Sequence, residues 1–129
     1  MADEGLGFPV EEVPDADSLF MRAHRDHLRD GSLQPGVFVA RDGGMSVDWA
    51  KYSTPEATRQ RAKKNPENNA VIRMEAGGIR SIDNLDVKHS PEIDNRAHSD
   101  VNLPDKREDL TKVRMLLRRI AEVVLPIGI

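Results

Sequence analysis

Several stretches of this chain alternate apolar and polar residues, and one repeats apolar residues at three- and four-residue steps. Leu19-Phe20-Met21-Arg22-Ala23 is short and apolar between polar flanks, which predicts a strand. Residues 37–40, Val-Phe-Val-Ala, follow the turn signal Pro35-Gly36 and predict a second strand. Met45-Ser46-Val47-Asp48-Trp49 alternates strictly and predicts a third. Asp42-Gly43-Gly44 supplies a tight turn between the last two, so residues 37–49 read as a hairpin.

Further along, residues 69–75 predict another strand, closed by Gly77-Gly78, and Ile79 and Ile82 are spaced for a short helical turn. Residues 85–89 and 96–101 read as a neighbouring pair of strands. Thr54-Pro55-Glu56 opens a helix over residues 55–64, with a capping hydroxyl, a proline at the first helical position and an acid near the positive end of the dipole. That helix has no apolar stripe and is expected at the surface. Leu110, Val113, Leu117, Ile120 and Val124 define one wide apolar face, so a long C-terminal helix is expected to run to Pro126. The elements together predict an α+β fold: a mainly antiparallel sheet of four to six strands packed against that amphipathic helix.

Composition adjusts this picture. The 129 residues are 38% hydrophobic, 32% charged and 4% aromatic, which is poor in apolar residues for one globular domain. A flexible segment or a partner surface accounts for such a balance. Residues 1–17 hold six carboxylates and no lysine or arginine, leaving a body of net charge +3. The expected organisation is an acidic tail over residues 1–13 and a single α+β domain over 14–129. Phe8 and Val10 are the tail residues able to dock into a groove. An excess of +3 is too small to imply nucleic-acid binding, and aromatic stacking platforms are scarce. The chain lacks cysteine, which excludes disulfides, thiolate metal sites and a cysteine nucleophile. The N-terminus has neither a basic region nor an apolar run, and no apolar stretch approaches the ~20 residues of a bilayer span. A cytoplasmic protein without membrane association is expected.

The candidate chemistry lies in the four histidines and their neighbours. His24-x-x-His27 sets two imidazoles near one another, but spacing alone without cysteine or an HExxH pattern does not define a metal site. Two His-Ser pairs, His89-Ser90 and His98-Ser99, lie nine residues apart. Two histidines facing across a groove serve as general base and general acid in phosphodiester chemistry, with arginine stabilising developing charge. If the chain is an enzyme, His24, His89 and His98 are the acid–base candidates, with Arg22 and Arg96 as anion holders. The paired pattern resembles that of the 2H phosphoesterases, but those carry an intervening residue and separate repeats, so the assignment is not adopted. Leu19 to His24 with Tyr52-Ser53-Thr54 resembles ADP-ribosyltransferase-like domains, yet no Glu-x-Glu or Gln-x-Glu strand follows. Gly43-Gly44 and Gly77-Gly78 match no phosphate-loop pattern and read as turns, so no cofactor is expected.

Val13-Pro14-Asp15 through Arg22, then Met45-Ser46-Val47-Asp48-Trp49, then Asn95-Arg96-Ala97-His98, resembles a family of small uncharacterised bacterial proteins. The resemblance implies a single bacterial domain and carries no activity. The leading functional expectation is a small cytosolic binding or adaptor protein that works in a larger assembly, with another protein as partner. The alternatives are a phosphodiester- or nucleotide-processing enzyme using histidine acid–base catalysis, and a toxin-neutralising protein whose acidic tail fills a basic site.

Overall fold

The structure, a computed structural model, describes residues 7–41 and 44–128. Among the described residues eight strands form in chain order: β1 (Ser18–His24), β2 (Leu28–Arg29), β3 (Ser32–Leu33), β4 (Met45–Trp49), β5 (Asn69–Glu75), β6 (Val87–His89), β7 (His98–Val101) and β8 (Glu122–Leu125). Three α-helices intervene: α1 (Pro55–Gln60), α2 (Ala76–Arg80) and α3 (Arg107–Ile120). Six of the strands make one antiparallel sheet in the order β6-β7-β4-β1-β5-β8, and β2 and β3 form a separate small ribbon. The fold is therefore α+β, a six-stranded antiparallel sheet with a 14-residue helix near the C-terminus.

The sheet is two-faced because successive strand residues point to opposite sides. Leu19, Met21 and Ala23 share the inner face with Val47, Trp49, Ile72 and Met74, all buried. Val113 and Leu117 of α3, Ile79 of α2 and Phe38 join that core. Each large side chain so buried contributes about 1.5–3 kcal/mol. Gly77 lets α2 approach the chain before β1, since a Cβ there would lie 3.1 Å from the Asp15 carbonyl oxygen.

The helix expected over 55–64 ends at Gln60, and two further elements differ in kind. Residues 37–40 form no strand: Pro35 starts a 3-10 turn over Pro35–Val37, and Phe38 turns wholly into the core. Its carbonyl accepts a hydrogen bond from Arg114 Nε at 2.8 Å, which ties the loop to α3 in place of a ladder. The partners of β4 are β1 and β7. The Asp42-Gly43 part of the expected turn lies outside the described residues. The C-terminal helix stops at Ile120, short of Val124. Ala121 is extended, and Val123 and Val124 enter β8, which covers the outer edge of β5. Branched side chains favour that extended course, and an open strand edge offers them backbone partners.

Of the acidic tail, residues 1–6 lie outside the described residues. Val13 is buried, and Glu11 is held by the body of the protein through Lys51 and His89. No helix among the described residues is long and apolar enough to cross a membrane.

Candidate functional site

The outer face of the sheet is polar. Phe20 pairs with Asp48, and Asp48 pairs with His98 on its other side. The neighbouring Ser46–Asp100 pair lies on the same face, and Arg22 follows Phe20 there by the two-residue period. Arg22, Ser46, Asp48, His98 and Asp100 thus share one surface.

A gap in the sheet gives this surface depth. β1 runs on to His24 and β4 begins at Met45, yet the two pair only at Leu19–Trp49 and Phe20–Asp48. The segment between them leaves the sheet to form the β2–β3 ribbon and the Pro35–Val37 turn. The result is an open groove of 790 Å³. Met21, Val37, Val39 and Met45 give it an apolar lining, and Arg22, His24, Ser46, Asp48, Arg61, Lys63 and His98 a polar one. Side chains from both faces of the sheet reach it because no paired backbone separates them at the gap.

One wall is a buried carboxylate with its donors. Asp48 Oδ2 accepts from Thr58 Oγ1 at 2.8 Å and from Arg61 Nη1 at 2.7 Å, and Oδ1 accepts from Asn95 Nδ2 at 2.9 Å. Arg61 Nη1 also donates to Ser53 Oγ at 2.8 Å. The site depends on α1: Thr54 Oγ1 accepts from the Ala57 amide and starts the helix, whose next turn delivers Thr58 and Arg61 to Asp48. Arg22 Nη1 donates to the Thr58 carbonyl at 2.8 Å. Burial pushes the Arg22 guanidinium below its ordinary pKa; nearby Asp48 opposes the shift and Arg61 reinforces it.

The other wall carries His98. Its Nδ1 lies 2.8 Å from the Ser90 carbonyl oxygen, which can only accept, so Nδ1 carries the proton. In the neutral ring Nε2 then presents a lone pair, which accepts from the Ser46 hydroxyl at 3.2 Å. Ser90 Oγ donates to Asp100 Oδ2 at 2.6 Å and holds the segment in register. Asp100 Oδ1 and Glu92 Oε2 stand 3.8 and 4.0 Å from Nε2. Among the described residues no three histidine or carboxylate groups gather closely enough to hold a metal ion.

Of the five residues singled out in the sequence, Arg22, His24 and His98 line the groove, and His89 and Arg96 do not. His89 pairs with Ser99, one residue along from His98, so the pleat sends the two imidazoles to opposite faces. The His89 ring is buried on the inner side, edge-on to Trp49 and stacked with Tyr52. Its Nδ1 accepts from the Glu11 amide at 3.0 Å, and Nε2 donates to the Arg96 carbonyl at 2.7 Å. Both nitrogens are spent on backbone, which makes it a structural residue.

Arg96 stacks its guanidinium 4.1 Å from the Tyr52 ring and 5.0 Å from Phe8. Glu11 beside it receives a hydrogen bond from Lys51 at 2.6 Å and one from the Tyr52 hydroxyl. The Lys51 bond first, and the Tyr52 bond second, hold the Glu11 carboxyl below its ordinary pKa. His24 accepts from the Asp26 amide at 3.1 Å and caps the 3-10 turn that contains His27.

Sequence reasoning missed Ser46, Asp48, Thr58 and Arg61. The signal for Asp48 was a carboxylate set between Val47 and Trp49, two core residues of one strand. Thr58 and Arg61 carried no local signal: the helix has no apolar stripe, and only the structure shows its threonine buried against Asp48.

Fold and groove together define an α+β protein whose sheet carries an apolar inner face and a polar, cleft outer one. No protein-family model, curated protein or solved structure matches the chain.

Proposed function

We propose that the chain is a binding protein for a small molecule with an apolar body and an anionic or polar head, seated in the groove between β1 and β4. The observation that supports this is the meeting in one groove of 790 Å³ of a methionine- and valine-lined gap with a buried Asp48 carboxylate bonded on both oxygens and a partly exposed Arg61 beside it. The size falls in the range of small-ligand sites, and the lining is mainly polar, with an apolar strip along one side. Val39, which is 41% exposed, would receive the body against the edges of Met21 and Val37, and Arg22 and Lys63 would face the head. Lys63 makes no ion pair among the described residues, so its charge is available.

The test is an amide NMR titration with 1-naphthyl phosphate, which joins an aromatic body to an anion. Shift changes concentrated on residues 21–24, 45–48 and 98 are expected, weakened by Arg22→Met. No shift at millimolar ligand, or shifts scattered over the surface, would refute the reading.

A second reading, a cytosolic bacterial adaptor subunit, is favoured by a different observation. β8 is an edge strand of the sheet, and its Val123 and Val124 are 44% and 36% exposed. Such an edge can accept a strand from another protein. Light scattering on the purified chain, beside Val123→Lys, checks it. A concentration-independent monomer unaltered by the substitution counts against pairing between copies, and leaves a different protein as the only partner for that edge.

A further inference from the structure

We propose that Ser46 and His98 form a nucleophile–base pair that hydrolyses carboxylic esters bound in the groove. The proposal rests on the groove reading above and extends it from binding to chemistry.

A nucleophilic serine needs a base within hydrogen-bond reach, and a base held in the correct tautomer by a third group. The structure provides these conditions. Ser46 is exposed on β4, with its hydroxyl 3.2 Å from His98 Nε2. The Ser90 carbonyl, at 2.8 Å, fixes the proton on Nδ1 and leaves Nε2 basic. Ser90 is itself held by Asp100 through a 2.6 Å hydrogen bond. The imidazole is mostly buried, with its side chain 15% exposed, so its orientation is set by packing as well as bonding. Cross-strand placement fixes the pair further: His98 stands opposite Asp48, two residues from Ser46 on the same face of β4.

The steps balance without a cofactor. His98 Nε2 takes the Ser46 hydroxyl proton as Oγ bonds to the ester carbonyl carbon. The tetrahedral intermediate collapses, the carbon–alkoxide bond breaks, and Nε2 returns the proton to the departing alcohol. Water, deprotonated by the same nitrogen, then attacks the acyl-serine, releasing the carboxylic acid and restoring Ser46. Arg61, which lines the same groove, is the candidate donor to the oxyanion. Arg61 gives Nη1 to Asp48 and Ser53, and its Nε and Nη2 have no hydrogen-bond partner among the described residues. Exposed Val39, beside the edges of Met21 and Val37, suits an ester with a short apolar acyl group.

The experiment is labelling of the full chain with an alkyl fluorophosphonate, read by intact mass and peptide mapping, beside hydrolysis of 4-nitrophenyl butyrate. One adduct per chain, mapped to Ser46, is expected. Ser46→Ala is expected to remove both the adduct and the hydrolysis while keeping the wild-type melting temperature, since its side chain is exposed. His98→Gln is expected to slow labelling by roughly 100-fold or more, the scale of a lost general base.

An absent adduct, an adduct on another residue, or wild-type labelling by His98→Gln would overturn the proposal. The 1-naphthyl phosphate titration separates the two readings. Groove shifts without an adduct leave binding and remove the chemistry, whereas the loss of both removes both.

Discussion

Asp48→Asn tests whether the polar wall of the groove is built as described. The carboxylate is 6% exposed and accepts three side-chain hydrogen bonds, from Thr58, Arg61 and Asn95. A hydrogen bond to a charged group contributes about 1.5–3 kcal/mol, and a buried donor left without its acceptor costs on the same scale. Asparagine preserves the shape and one acceptor oxygen, but it turns an amide toward Arg61 or Asn95 and removes the charge. Arg61 keeps 29% of its side chain exposed, so water recovers part of the loss. The expected destabilisation is therefore about 2–3 kcal/mol, below the 3–5 kcal/mol of a wholly enclosed broken pair. In urea the midpoint should fall by roughly 1–2 M with an unchanged slope. The double variant with Arg61→Met should show a coupling of at least about 1 kcal/mol. A loss under about 0.5 kcal/mol, or strict additivity, would mean the wall is a solvated surface cluster and would refute the reasoning.

Other consequences follow from the same structure. Leu117→Ala removes a wholly buried side chain of α3 and should cost about 2–4 kcal/mol by urea unfolding. His89→Ala orphans the Glu11 amide and the Arg96 carbonyl and should cost about 2–4 kcal/mol, yet leave fluorophosphonate labelling of Ser46 unchanged once the protein is folded. Glu11 and Asp86 are held below their ordinary values of 4.5 and 3.8, by Lys51 and Tyr52 for the first and by Arg80 and the Val87 amide for the second. A lowered carboxyl pKa adds stability above the unfolded value and loses it as pH falls through the folded one. The urea midpoint should hold steady down to about pH 5 and then decline, and Glu11→Gln should shallow that decline.

Much of the architecture was legible because the inner face dictates strict patterns. The alternation in 45–49 and the apolar run within 69–75 survived as β4 and β5, and the apolar stripe marked α3 through Leu117. Local pattern failed where a tertiary partner chose between conformations. Val37 and Phe38 have the composition of a strand, but Pro35 starts a turn and Phe38 finds its place under α3. Val124 fits the helical stripe, but β5 offers it an edge. The site was harder to read because it depends on register. His89 and His98 looked equivalent in sequence. Their pairing, His89 with Ser99 and His98 with Asp48, makes one a backbone clamp and leaves the other facing Ser46. The gap between β1 and β4 had no local signature, because both strands read as continuous and only their register shows where pairing stops.

The position of β8 has a consequence for biosynthesis. β5 leaves the ribosome roughly fifty residues before the segment that will shield its flank, so for several seconds of translation an apolar Val71-Ile72 border stands bare. A transcript broken between the codons for Ile120 and Glu122 would release a chain carrying that border permanently. Such a fragment should clump or be degraded, even though it would retain every residue of the groove.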